Sequence, residues 1–460
     1  MSVVVFQRGG HAGVPILHAD RARKAPTITR FPADPGRARI SGVDLRRDVA
    51  LGARLAGVRA GGLVLALAGD PVLRLLYRPW IDDPTSVQRQ LREAAQPYAS
   101  RSGVLVVATA AMCRELVRDR RFMVRTRSGG SLGGSVEGGR DPLLEPVELS
   151  FLGMDPPEHT RLRRLVGGWF TPARVDAYEP LVTRLAERLT DDAARRGRFD
   201  LVADVATPLP VAVIAEILGV PDADAGAFAR WGQAVGAGLG GVRSLRTLHR
   251  LDAAVAELRG LLGDLLERRR HDPADDLISH LAAEDVDAHE TVSLAALLLL
   301  AGFETTSTLL TNAVAAMTDA REPWAQLAAE PARAGDAVEE ALRFDAPIQF
   351  TARTPHETVR LGERDVAPDT VVMAMLGAAG RDPAVHTDPD VFDLDRPTKG
   401  EHLAFSGGIH YCLGAALARL EGRVALAALA ERMPTLHRVP GAVRRRSLLL
   451  RSYQRLPVSV

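Results

Sequence analysis

Residues 405–414 read FSGGIHYCLG and bring one cysteine, Cys412, to the start of a segment rich in Ala and Leu. The first N–H groups of a helix are unpaired and carry partial positive charge, so a sulfur placed there is favoured as its thiolate. Glycine lets the backbone approach a flat ligand closely. A free cysteine is most often a small buried apolar residue. Here the crowded glycines and polar neighbours favour a thiolate that binds a single metal centre.

The cysteine count narrows the choice of metal centre. The chain has two cysteines, Cys113 and Cys412, which are far apart and form no Cys-x-x-Cys pair. Iron–sulfur clusters and thiolate-rich zinc sites therefore lack ligands. A haem needs only one protein ligand and is compatible with Cys412.

A second set of reactive groups lies in AGFETT, residues 301–306, within a segment from about 291 to 317 that is apolar nearly all round. Such a helix belongs in a protein core, and its purely apolar stretch is too short to cross a bilayer. An acid such as Glu304 and hydroxyls such as Thr305 and Thr306 are costly there unless they are paired or functional. The structural alternative for both threonines is a hydrogen bond to a carbonyl one turn earlier.

Two further motifs place charged groups on helical faces. In EALR, Glu340 and Arg343 are one turn apart and can pair. In MDPPEHTRLRRLV, residues 154–166, prolines precede a basic helix on which His159 and Arg163 are neighbours. Taken alone, each pattern is more typical of a solvated helix surface.

Together, these motifs resemble those of the cytochrome P450 haem-thiolate monooxygenases of the bacterial soluble type. FSGGIHYCLG followed by AALARLE resembles the family's cysteine loop and following helix, and the other motifs occur in the right order. The correspondence is nearly continuous from about Asp83. The resemblance implies a mainly α fold with small β-sheets, in which haem lies between the long central helix and the cysteine-loop helix. Two small departures are Gly380, where asparagine is common, and Ser406, where glycine is common.

The resemblance also implies roles for individual residues. Cys412 would bind the iron of haem b, Glu304 would relay protons to bound dioxygen, and Thr305 would assist its activation. Glu340 and Arg343 would form a structural network with a residue of the loop before the cysteine. The haem propionates would be bound by four residues: His159, Arg163, Arg353 and His410. The alternative for His410 is an exposed loop histidine.

The activity that this resemblance implies is insertion of one oxygen atom of O2 into a lipophilic small molecule, such as a lipid, terpene, steroid or polyketide. The chain has no flavin or nucleotide motif, so electrons would come from outside, and the resemblance implies a ferredoxin and its NAD(P)H-dependent reductase as their source. Two other functions are a peroxygenase and a non-enzymatic haem protein that senses gas or stores haem. The pair Glu304 and Thr305 disfavours both.

Composition and charge agree with this interpretation. The 460 residues are 46% hydrophobic, and their net charge of +1 excludes a globally basic nucleic-acid binder. Two unpaired cysteines suit a reducing cytoplasm. The first residues show no secretory signal, and we expect a cytoplasmic protein without a transmembrane segment.

The chain organisation suggests an N-terminal extension, residues 1–80, and a haem-thiolate monooxygenase domain, residues 81–460. Residues 1–60 contain eleven Arg or Lys against four Asp or Glu, followed by an apolar run at residues 61–69. This pattern favours either a partly ordered extension or contact with an anionic membrane surface. Residues 128–139, SGGSLGGSVEGG, have the composition of a flexible loop and are a candidate substrate lid.

Overall fold

The computed structural model describes residues 45–130, 150–220, 226–228, 230–232, 234, 244–284 and 286–460. The chain divides into two units, residues 1–48 and 49–460. The candidate lid lies outside the described residues except for positions 128–130. The division predicted at residue 80 stays a prediction.

Helices dominate the described residues, as expected. They are α1 (Leu45–Leu67), α2 (Pro71–Arg74), α3 (Thr85–Glu93), α4 (Ala110–Arg118), α5 (Glu158–Gly167), α6 (Pro172–Arg196), α7 (Pro208–Leu218), α8 (Leu245–His271), α9 (Leu277–Ala283), α10 (Ala288–Ala320), α11 (Glu322–Ala329), α12 (Ala334–Phe344), α13 (Leu376–Ala379) and α14 (Ala415–Arg432).

The strands are short and form small sheets, as also expected. They are β1 (Tyr98–Ala99), β2 (Leu105–Val107), β3 (Phe122–Met123), β4 (Arg198–Asp200), β5 (Thr351–Pro355), β6 (Val359–Leu361), β7 (Arg364–Val366), β8 (Val372–Ala374), β9 (His437–Arg438), β10 (Val443–Arg444), β11 (Tyr453–Arg455) and β12 (Pro457–Ser459). Within the described residues, the largest sheet has the order β1-β2-β8-β5-β3. In it β5 pairs antiparallel with β8, so that Arg353 lies opposite Val372.

The central helix α10 begins where Asp287 caps it. The Asp287 carboxylate accepts hydrogen bonds from the N–H groups of His289 and Glu290, at 2.8 and 3.3 Å. The helix extends three residues beyond each end of the predicted segment. Its side chains are buried nearly all round, as its apolar sequence predicts, and Leu309 and Leu310 are 1% and 0% exposed. Burial of each such leucine contributes about 1.5–3 kcal/mol.

The cysteine-loop helix α14 packs against α6, α10 and α12. It ends at Arg432, as predicted from Pro434. Gly422 permits its close approach to α12, since a Cβ at that position would lie 2.8 Å from Val338 Cγ2. The same Cβ would lie 3.4 Å from Leu309 Cδ2 on α10, so the two helices that flank the expected haem site also contact each other there.

A buried ionic network ties α12 to the chain that leads into the cysteine loop. The Glu340 carboxylate accepts from Arg343 Nε and Nη2, both at 2.7 Å, and from Arg396 Nε at 3.2 Å. Arg343 Nη1 also donates to the carbonyls of Gly380 and Pro389. Glu340 and Arg343 are fully buried. The resemblance implied that a residue of the loop before the cysteine joins Glu340 and Arg343. In the structure this residue is Arg396.

The first sequence departure, Gly380, has a packing reason. A Cβ at this position would overlap the carbonyl oxygen of Arg343. The backbone of residue 380 lies so close to α12 that a larger residue would require the network to move.

We predict that Glu340→Ala lowers the free energy of unfolding by about 3–5 kcal/mol, because it leaves Arg343 and Arg396 buried without their carboxylate. Urea unfolding measures the loss. Glu363 is exposed, and Glu363→Ala should change stability by less than about 0.5 kcal/mol. Equal effects of the two substitutions would contradict the stabilising role of the network.

Candidate functional site

The cysteine loop is a tight turn that packs on α4. A 3₁₀ turn, Gly408–His410, precedes Cys412, whose N–H donates to Phe405 O at 3.0 Å. Gly408 has φ +63°, and a Cβ there would overlap the Val117 carbonyl oxygen. The glycine is therefore required both by its backbone conformation and by the space available.

The second departure, Ser406, also has a positive φ of 59°. This conformation is readily adopted by glycine but is uncommon for other residues. The Ser406 hydroxyl is buried and makes no hydrogen bond within the described residues. The loop therefore keeps a backbone conformation that suits glycine, and Ser406 adopts it at some cost in local strain.

Cys412 is exposed to solvent on one side, and protein atoms surround it on the others. Burial raises the pKa of its thiol, whereas the Gly414 N–H, Arg163 and Arg419 lower that pKa. The sulfur therefore lies in a concave position, near donors and cations that favour the thiolate. Because burial outweighs these contributions, the net shift of the pKa is upward, and a bound metal cation would reverse it, since coordination deprotonates a thiol.

Four predicted basic residues are brought together near Cys412. His159 and Arg163 lie on α5, Arg353 lies on β5, and His410 ends the 3₁₀ turn. The rings of His159 and His410 are 4.5 Å apart between centroids. Burial, together with the charges of Arg353, His159 and Arg163, lowers the pKa of His410 to about 3. Separate parts of the chain thus form one cluster of hydrogen-bond donors.

This donor cluster has few acceptors of its own. Both ring nitrogens of His159 and the Nδ1 of His410 are buried without a hydrogen bond of normal geometry in the described residues. Arg353 is 4% exposed, donates to Thr351 Oγ1 and the Ala352 carbonyl, and has its pKa lowered to about 10 by burial. Arg163 donates to the Tyr411 carbonyl at 2.6 Å.

Among the described residues, no carboxylate accepts a hydrogen bond from these four side chains. The acid that electrostatically influences both His159 and Arg353 is Asp155. Its two oxygens already accept from the N–H groups of Val124 and Arg125. Buried cationic groups normally require an anionic partner, so the cluster is suited to binding carboxylates of a ligand.

On α10, Glu304 forms an ion pair with Arg445. Arg445 Nη1 is 2.9 Å from both carboxylate oxygens, and each side chain is 12% exposed. Arg445 Nε is buried without a hydrogen-bond partner among the described residues. The carboxylate is therefore held by the segment that follows β10.

The Thr305 hydroxyl donates to the Ala301 carbonyl at 2.7 Å. Thr306 makes the same contact with the carbonyl of Gly302 at 3.1 Å. Both threonines thus show the structural alternative that their positions allow. In the described residues, no hydrogen bond joins the side chains of Glu304 and Thr305. The expected acid and alcohol are adjacent on the helix but have separate partners.

Three residues of this region were not predicted from the sequence. Arg445 is one of several arginines in a row, and nothing in the sequence marks it as a partner of Glu304. Gly232 approaches α10 so closely that a Cβ would lie 2.8 Å from Glu304 Oε1. Glu421, in the AALARLE motif, is buried. The pKa of its carboxyl is raised to about 8, because burial raises it more than the hydrogen bond with the Thr306 hydroxyl lowers it.

Comparisons with known proteins agree on one family. The cytochrome P450 family model matches residues 247–433. The putative cytochrome P450 140 of Mycobacterium tuberculosis is 35% identical over 418 residues, which cover 88% of this chain and 93% of that protein. This chain belongs to the cytochrome P450 family. The 6-deoxyerythronolide B hydroxylase of Saccharopolyspora erythraea is 40% identical over 313 residues, covering 66% of this chain and 76% of that hydroxylase.

The fold agrees with this P450 assignment. The crystal structure of P450BioI in complex with acyl carrier protein ligated by hexadec-9Z-enoic acid aligns with a TM-score of 0.77 at 31% identity. The alignment covers 83% of this chain and 99% of P450BioI. The predicted family, fold class and enzyme class, a monooxygenase, are confirmed. Family membership implies a haem cofactor and the use of O2.

The residues of this P450 fit a haem. Cys412 supplies one accessible sulfur ligand, and the donor cluster offers two guanidinium groups and unpaired imidazole nitrogens, which suit the two propionates. Helix α10 is long and apolar enough to span a membrane by composition, but 78% of its most apolar window is buried inside the protein. It is therefore a core helix of the P450 fold.

We predict that Arg445→Met lowers the free energy of unfolding by about 3–5 kcal/mol, because it leaves the largely buried Glu304 carboxylate without its cation. Urea unfolding of the ferric protein measures the loss. Arg446 is exposed, and Arg446→Met provides a control with the same change of charge. Equal losses of stability in the two variants would contradict the ion pair.

Proposed function

We propose that this P450 binds haem b through the Cys412 thiolate and inserts one oxygen atom of O2 into a lipophilic small molecule. The observation that carries the proposal is the combination at one place of an accessible cysteine and a buried donor cluster without carboxylate partners. Bound there, a thiolate-ligated haem supplies activation of dioxygen with electrons and protons from outside.

In this proposal the donor cluster orients the cofactor. Arg353 and Arg163 would each present a guanidinium to a propionate, and His159 and His410 would donate from their ring nitrogens. Burial lowers the pKa of Arg353 and both histidines. A bound carboxylate would oppose these shifts by stabilising the protonated forms.

The proton supply is assigned to α10. Glu304 would accept protons from solvent and pass them on through water, while the Thr305 hydroxyl would hold a proton for donation on the haem side of α10. To do so, Thr305 must turn its hydrogen away from the Ala301 carbonyl. Glu304 must share its carboxylate between Arg445 and water. Both changes need only side-chain rotation.

The electron donors are assigned to a ferredoxin and its NAD(P)H-dependent reductase in the cytoplasm. Candidate docking charges near the cysteine loop are three arginines, and their contacts differ. Arg161 and Arg419 pair with Glu290 and Glu339, whereas Arg164 is exposed. Arg164 is therefore the better candidate for contact with an acidic partner.

A bulky lipophilic substrate is supported by the apolar composition of α10 and by the similar proteins. One of these is named as a hydroxylase of 6-deoxyerythronolide B, and another was crystallised with a fatty acid ligated to acyl carrier protein. Lipids, terpenes, steroids and polyketides form the substrate class to test. Screening for compounds that displace water from ferric iron, followed by mass spectrometry of products, identifies the substrate.

We predict that Cys412→Ala abolishes the thiolate-type absorbance of the reduced carbonyl complex and also abolishes turnover. Cys113 is a matched control, because it is buried, its pKa is raised by burial, and its Sγ donates to the Val107 carbonyl. Cys113→Ala should keep the spectrum. An imidazole-type spectrum in the wild-type protein would refute ligation by Cys412.

Turnover is measured with a surrogate ferredoxin, its reductase and NADPH. Consumption of NADPH that depends on an added lipophilic ligand, with an oxygenated product, supports the monooxygenase. Product formation with hydrogen peroxide alone, and none with the electron donors, supports the peroxygenase. A haem-loaded protein that shows neither activity supports a sensor or haem store.

We predict that Thr305→Ala keeps haem but diverts most electrons to hydrogen peroxide, because proton delivery loses its hydroxyl. The measurement is the ratio of product and peroxide to NADPH consumed. Thr311 bonds to the Ser307 carbonyl in the same way, six residues or about 9 Å further along α10. Thr311→Ala should therefore remain coupled. Unchanged coupling in Thr305→Ala would remove Thr305 from the proton path.

A further inference from the structure

The charges of this chain are strongly segregated. The whole sequence has 58 Lys and Arg against 57 Asp and Glu. Residues 1–69 hold eleven of the basic residues and four of the acidic ones, which leaves 47 basic and 53 acidic in residues 70–460. The first part therefore has a net charge of +7 and the remainder one of −6. The near-neutral total is therefore the sum of a basic N-terminal part, residues 1–69, and an acidic remainder, residues 70–460.

The last turns of α1, which end the basic part of the sequence, present apolar side chains to solvent. Leu63, Val64 and Leu67 are 40%, 63% and 67% exposed. Leu63 and Val64 precede Leu67 by four and three residues, so the three side chains share one face of the helix. Arg59, one turn before Leu63, is also exposed. Together these four residues form the outer face of α1.

The opposite side of the same helix is packed against the protein. Ala66 is fully buried, and Tyr77 donates from its hydroxyl to the Arg59 carbonyl at 2.7 Å. A Cβ at Gly62 would lie 2.5 Å from the Tyr77 hydroxyl oxygen, which is too close for a real contact. These contacts on the inner side of α1 fix the orientation of the helix, so that its outer face points to solvent.

We propose that the outer face of α1 docks on the surface of an anionic lipid bilayer. Apolar side chains next to excess positive charge fit the boundary between acyl chains and anionic headgroups. A nucleic acid would use the positive charge but would leave the three aliphatic side chains in water. The net charge of −6 on residues 70–460 disfavours other orientations on the same membrane.

This docking is independent of the haem chemistry. It would place the enzyme where lipophilic compounds concentrate. The exposed aliphatic residues set the depth of contact, and the basic residues set its dependence on lipid charge and salt. Failure of the docking would leave the proposed oxygenation untouched, since the two are measured separately.

The test is sedimentation of the purified full-length holoprotein with vesicles. Vesicles of phosphatidylglycerol and phosphatidylcholine should bind the protein at least about tenfold more tightly than pure phosphatidylcholine, and added salt should weaken the binding. Leu67→Glu and Val64→Glu should each weaken it by about tenfold, because a carboxylate enters the interface. The reduced carbonyl spectrum verifies that each variant is folded.

The matched control is Val391→Glu, which places the same charge at another aliphatic side chain that is 56% exposed. It should bind vesicles like the wild type. Equal binding to neutral and anionic vesicles would overturn the proposal, as would equal losses in Leu67→Glu and Val391→Glu. Tighter binding to duplex DNA than to anionic vesicles at the same salt would also overturn it, in favour of a nucleic-acid surface.

Discussion

The cysteine loop depends on one buried carboxylate. Glu340 binds two arginines, Arg343 on its own helix and Arg396 in the segment before the loop. These arginines in turn satisfy several carbonyls of residues 380–391 that form no helix or strand hydrogen bonds there. An irregular buried segment must have its polar groups paired. The network meets this need and so fixes the path of the chain toward Cys412.

A second basic cluster has the opposite property. The Glu340 network combines two guanidinium groups with a shared carboxylate, whereas no carboxylate among the described residues accepts a hydrogen bond from His159, Arg163, Arg353 or His410. The same physical rule, that buried charge requires compensation, applies to both. A satisfied network stabilises the fold, and an unsatisfied one is suited to the anionic ligand that we propose.

The Glu304 and Thr305 region, to which we assign the proton supply, follows a different principle. Its acid is already paired, with Arg445, and its hydroxyl is already bonded to a backbone carbonyl. These contacts lower the cost of placing polar groups in an apolar helix. In the proposed relay, proton transfer must compete with these interactions. The close approach of Gly232 leaves little space around Glu304 on that side, so Arg445 is the group that controls the position of the acid.

Much of the architecture could be predicted from the sequence because the signals are local. Apolar residues all round predicted the buried α10, and proline positions predicted the start of α5 and the end of α14. The glycines around Cys412 indicated a tight turn before a helix. A single cysteine in such a turn limited the possible metal centres by ligand count alone, and the family resemblance supplied the fold.

By itself, therefore, the sequence determined where the chemically distinctive groups lie along the chain and which metal centre one sulfur can hold. Tertiary structure alone decided which of them meet. Arg396 and Glu340 are 56 residues apart, and Arg445 and Glu304 are 141 apart. No local pattern encodes such pairs, because many exposed arginines carry the same charge and only packing selects the one that is buried beside the acid. The outer face of α1 is likewise apolar in sequence, but only its packing against Tyr77 shows which side chains face solvent.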